Sequence, residues 1–113
     1  MKRYRALVSA IRRKNPLSGF IFTDGGVVSC TRTGPELMLE FRDYCDGLVR
    51  FDFVGVSELV ISDDILSYEV MHSSCVDVPN GWCLSLLCDD REPLLACTFT
   101  GVKFAWKNTG KAE

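Results

Sequence analysis

Between residues 17 and 107, apolar and polar positions alternate in short runs broken by Gly, Pro, Asn and Asp, the period-2 pattern of strands with one buried face. The clearest pair is Leu37, Leu39 and Phe41 alternating with Met38, Glu40 and Arg42, then the loop Asp43 to Gly47, then Val49, Phe51 and Phe53 alternating with Arg50 and Asp52. This predicts a hairpin with its Leu and Phe side chains on one face. Upstream, Phe20 to Thr23, the turn Asp24-Gly25-Gly26 and Val27 to Thr31 predict a further strand, turn and strand. Gly55 interrupts the next run as a bulge or bend does, and Val56 to Ile61 resumes it until Ser62-Asp63-Asp64. Residues 65–78 fit neither period cleanly and are assigned to strand rather than helix. Pro79-Asn80-Gly81 is a turn, after which Leu84, Leu86 and Cys88 alternate with Cys83, Ser85 and Leu87. A second acidic loop, Asp89 to Pro93, precedes Leu95, Cys97 and Phe99, and the last run carries Val102, Phe104 and Trp106 on one face.

The first 14 residues have another period. Tyr4, Leu7, Val8 and Ile11 recur at i, i+3, i+4 and i+7, one face of a helix, and Asn15-Pro16 ends it because Pro disfavours helix at the residue before it. The chain therefore reads as α+β: an amphipathic N-terminal helix packed on a mostly antiparallel, meandering sheet of about eight strands, with a half-closed β-barrel as the alternative. It is read as one domain, with residues 1–14 the basic helix, 17–107 the sheet body and 108–113 a polar tail.

An internal echo organises the sheet body. A shift of 46 positions sets Val49 on Leu95, Phe51 on Cys97, Phe53 on Phe99, Gly55 on Gly101 and Val56 on Val102, and lands the loop Asp43 to Asp46 on Asp89 to Glu92. The strands before the loops match only at a shift of 47. Two related β-units and two β-hairpins converging on similar needs both remain open.

Composition narrows the class. A chain of 113 residues with 47% hydrophobic and 25% charged residues is long enough and apolar enough to build its own core. No apolar run approaches the roughly 20 residues of a membrane-spanning helix, and the N-terminal apolar letters are interrupted by Ser9 and followed by Arg12 and Arg13, so neither a span nor an export signal is read and a cytoplasmic protein is expected. The six cysteines are accordingly read as reduced thiols. They lack C-x-x-C spacing and His72 is the only histidine, so no metal or other cofactor is expected.

Charge is divided unevenly. Residues 1–14 hold six of the 13 Lys and Arg residues and none of the acids, leaving seven cations against 15 Asp and Glu in the rest. The basic segment could meet nucleic acid or anionic lipid, but only Tyr4 supplies an aromatic ring there, and a solvated face that pairs with the acidic body is the preferred reading. An enzyme would need a nucleophile with a base; His72 beside Ser73, Ser74 and Cys75 is the one such grouping, and neighbours on a strand point to opposite faces.

The runs Leu37 to Tyr44 and Leu48 to Leu59, with their strand, acidic loop, strand and F-x-G-V layout, resemble small bacterial proteins grouped with the immunity proteins of polymorphic toxin systems. The resemblance covers residues 36–107 and implies a non-enzymatic protein that binds and neutralises a cognate toxin domain; it brings no catalytic residue. From the residues themselves, Asp43, Asp46, Asp63, Asp64, Asp89, Asp90 and Glu92 on three acidic turns are the candidate partner-binding set, presenting negative potential to a basic partner. A small-ligand-binding β domain, a nucleic-acid accessory protein using the basic segment, and self-association are the other readings kept open.

Overall fold

The computed structural model describes residues 15–88 and 93–107, and everything structural below concerns those residues. They form eight strands: β1 Gly26–Thr33, β2 Glu36–Arg42, β3 Leu48–Val54, β4 Ser57–Ile61, β5 His72–Val78, β6 Gly81–Leu87, β7 Pro93–Phe99 and β8 Gly101–Trp106. The alternation expected for Leu37 to Phe41 and Val49 to Phe53 is met in full. Leu39, Phe41, Val49, Phe51 and Phe53 are completely buried, and Leu39 stands opposite Phe51 across the hairpin.

The expected α+β class and single meandering sheet are overturned. The described residues contain no helix and form two separate four-stranded antiparallel sheets, in the orders β1-β2-β3-β8 and β4-β7-β6-β5. Each sheet keeps two edges, so the half-closed barrel is not formed either. The helix read over residues 1–14 and the tail read over 108–113 lie outside the described residues. The physical reason for two sheets is a pair of breaks in otherwise continuous strand sequence. At Gly55 the backbone turns to φ +64, a left-handed conformation that favours glycine, and β4 leaves the first sheet to pair with β7. At Thr100–Gly101 the chain makes the reverse crossing, and β8 pairs with β3.

The 46-residue offset has a counterpart in this topology. Each half of the chain builds a three-stranded meander, β1-β2-β3 or β5-β6-β7, and lends its fourth strand to the edge of the other half's sheet. Residues 46 apart meet where the halves cross: the Phe53 and Phe99 rings lie edge to face with centroids 4.9 Å apart, and the Thr100 N–H donates to the Val54 carbonyl at 3.0 Å. At the other end the Asp24 N–H donates to Val70 O at 2.7 Å, and the Val70 N–H returns to Gly25 O at 2.8 Å. These contacts trace an approximate two-fold axis through the molecule.

Two local readings also change. Phe20 to Thr23 is not a strand: the Phe20 N–H turns back to Leu17 O at 3.1 Å, and Phe20 and Phe22 plug the core instead, with centroids 5.0 Å from Phe51 and 5.1 Å from Phe41 respectively. Gly25 serves a close approach rather than a hairpin turn, since a Cβ there would stand 2.4 Å from Arg42 O and 2.5 Å from the Phe41 ring. Of residues 65–78, strand begins only at His72; the preceding segment is turns and irregular backbone that seat Ile65 and Val70 in the core.

The two sheets share one continuous apolar core, closed by Leu84, Leu86, Leu95, Cys97 and Phe99 from the second sheet. All six cysteines are free thiols, and burial pushes the Cys97 thiol up to about 12, which leaves it a small hydrophobe. No helix of the described residues is long and apolar enough to cross a membrane.

Candidate functional site

The loop between β2 and β3 is built by its first acid. Asp43 Oδ1 accepts hydrogen bonds from the Gly47 N–H at 2.7 Å and the Cys45 N–H at 3.0 Å, while the Asp43 N–H donates to Gly47 O at 2.8 Å. This is the side-chain mimicry of a backbone turn for which Asp is favoured. Asp43 is half-buried and committed to the loop, whereas Asp46, at φ 65, is exposed.

Two further acids reach the same place from elsewhere in the chain. The reciprocal bonds between Asp24, Gly25 and Val70 clamp the segment before β1 to the segment before β5, and so bring Asp24 and Glu69 to the end of β2. Asp24, Asp43, Asp46 and Glu69 line one open depression of about 310 Å³, with Arg42 as its cation and Tyr44 on its wall. Tyr44 is 56% exposed and the nearby chain carries Tyr68, 52% exposed. Aromatic rings with a polar tip beside charged groups are what protein interfaces enrich.

The other predicted residues are placed differently. Asp63 and Asp64 are exposed in the turn after β4, where the Asp64 N–H donates to Ser62 Oγ at 3.1 Å, and they do not line the depression. Asp89, Asp90 and Glu92 lie outside the described residues. The ends of their loop are placed: the Met71 N–H donates to Leu87 O at 2.8 Å, so the β6 end stands beside the Asp24–Val70 clamp. Asp24 and Glu69 are the acids that the residue reading missed. No local signal marks them, because they reach the depression only through the hydrogen bonds that tie Asp24 and Gly25 to Val70.

His72 opens β5 on the outer row and Ser73 follows on the inner one, so the expected opposition of strand neighbours holds there. Among the described residues no group of three His, Cys, Asp or Glu side chains is arranged to hold a metal ion. A second depression, of about 490 Å³, lies on the outer face of the first sheet over Met38, Arg50, Asp52 and Lys103. Within it the Arg50 guanidinium bonds Asp52 at 3.1 Å; elsewhere on the same sheet Lys107 and Ser29 both donate to Glu40, holding that carboxyl below its ordinary value.

Set against known proteins, the chain matches no family model, no curated protein and no solved structure.

Proposed function

We propose that this chain is a non-enzymatic protein-binding domain whose acidic end receives a basic surface of another protein. The observation that carries the reading is the convergence of Asp24, Asp43, Asp46 and Glu69, from three separate segments, on one open depression where Arg42 is the one cation among the described lining residues. Four carboxylates on one concave wall raise the local negative potential, and such a field speeds the encounter with a basic partner more than it deepens the final affinity. Tyr44, exposed in the same wall, supplies the apolar contact area that charge alone lacks. The resemblance to immunity proteins fits this geometry, and the proposed partner is then a basic toxin domain in a bacterial cytoplasm.

The test starts from co-purification with the tagged full-length chain and mass spectrometry of whatever binds stoichiometrically. The variant Asp24→Asn/Asp46→Asn/Glu69→Gln keeps residues that tolerate the left-handed backbone at 24 and 46 and leaves the turn-building Asp43 alone. Its association rate with the isolated partner should fall about tenfold at low salt and converge on that of the parent chain at high salt. Equal rates at low salt for the two proteins would remove the acidic end from the interface.

A further inference from the structure

The related connectivity of the two sheets gives the molecule an internal control, because the paired outward positions at the centre of one sheet, away from its bulges, have equivalents on the other. On the first sheet the outer face is an ordinary solvated surface. Glu40 stands opposite Arg50, and Asp52 stands opposite Lys103. The strand pairing corrects the 47-residue offset expected before the loops, setting Leu39 on Leu84 and Glu40 on Ser85, so the same places on the second sheet are taken by Ser85 opposite Ala96 and by Thr98 opposite Ser57. Four charged positions have become four small, uncharged ones.

The loss of charge runs through the whole centre of the sheet. β6 (GWCLSLL) and β7 (PLLACTF) contain no charged residue. At the flanks, Val60 on β4 and Val76 on β5 are 52% and 53% exposed on the outer rows, where the first sheet has Ala105 and Thr31. Glu58, at the bulge of β4, is the acid of these rows, and it accepts a hydrogen bond from Thr98 Oγ1 at 3.3 Å. A solvated strand face has no need to shed charge, and exposed uncharged strands invite association unless something covers them.

We propose that the outer face of the second sheet packs against the same face of a second copy of this chain. Two arguments select that occupant. The uncharged centre of the face, β6 and β7, meets its own copy without like-charge repulsion, with Glu58 and His72 confined to the flanking strands, whereas it offers no complement to a charged partner, and its small Ser, Ala, Thr and Cys side chains let two sheets approach to the usual ~10 Å. The area also fits a reversible dimer. Four strands about 4.8 Å apart and roughly 20 Å long give a face of ~400 Å², so two copies together remove on the order of 1,000 Å² once side-chain relief is counted. That is the low end for a specific interface, the size of a reversible rather than an obligate dimer.

Sedimentation equilibrium of the full chain from about 1 µM to 1 mM tests this. The parent chain should pass from monomer to dimer across that range. The variant Ser85→Glu/Ala96→Arg transplants the cross-strand Glu40–Arg50 pair, which the first sheet already carries without harm, and should weaken dimerisation at least tenfold at unchanged melting temperature. Should that variant fail to fold by circular dichroism, Ser85→Glu, which copies Glu40, replaces it with the same expectation. Stripping the first sheet instead, with Arg50→Ala/Asp52→Thr, should leave the dimer intact. A parent chain that stays monomeric at 1 mM, or a folded charged variant that dimerises as the parent does, overturns the proposal.

Discussion

Gly55 is the residue whose replacement reports most directly on the crossing between the sheets. Its φ of +64 costs an L-residue ~1–2 kcal/mol. A Cβ there would also stand 2.1 Å from Thr100 Oγ1, 2.9 Å from Thr100 Cγ2 and 3.0 Å from Thr100 Cβ. Because all three atoms of the branched side chain are close, rotating Thr100 exchanges one clash for another. The side chain has to move as a whole, which breaks the 3.3 Å bond from its hydroxyl to Val54 O, worth about 1 kcal/mol. Gly55→Ala should therefore destabilise the fold by about 2–3 kcal/mol, a fall of ~1–2 M in the urea midpoint with no change in slope. In a Thr100→Ala background the contact with Cβ alone remains, and the same substitution should cost ~1 kcal/mol less. The double-mutant cycle is measured by urea unfolding followed by tryptophan fluorescence. A cost below ~0.5 kcal/mol, or equal costs in both backgrounds, would refute the account of Gly55 as the point where the two halves of the chain lock.

Two further outcomes follow from the same structure. Because each sheet takes its fourth strand from the other half, fragments 1–64 and 65–113 should each be unstructured by circular dichroism alone and regain the β spectrum when mixed; a stable fragment would show that the lent strands are dispensable. Glu40 is held below its ordinary carboxyl value by its bonds from Lys107 and Ser29, so its contribution is present above the unfolded value of about 4.5 and lost as the pH falls through the lower folded value. Stability measured by urea unfolding should therefore fall less steeply with acidification in Glu40→Gln than in the parent chain, and parallel curves would show that the contact contributes nothing to the pH dependence.

How much of this was readable in advance depended on range. The buried rows of β2 and β3 were legible because Leu37 to Phe41 and Val49 to Phe53 each alternate, and a two-sided environment writes itself into a single strand. Which sheet a strand joins leaves no such mark. β4 and β8 alternate equally well whether they continue a meander or cross to the opposite sheet, and the only local trace of the crossing is a glycine at 55 and another at 101. Phe20 and Phe22 alternate as a strand does, yet they fill a core that two other strands have already shaped, so tertiary packing outweighs local propensity. At the acidic end, the turn chemistry of Asp43 was local and visible. Asp24 and Glu69 join it only through hydrogen bonds between segments 46 residues apart.

The lending of strands between halves also sets the order in which the protein can be made. As the chain leaves the ribosome, the β1-β2-β3 meander emerges with the edge of β3 open, and its partner β8 is the last of the eight described strands to follow. β4 likewise waits for β7. The first sheet cannot be completed before β8 is out, nor the second before β7, so folding is bound to long-range pairings that form late and slowly. Throughout synthesis an unpaired β3 edge backed by Phe51 and Phe53 is available to other nascent chains, and its protection falls to chaperones or to the speed of translation.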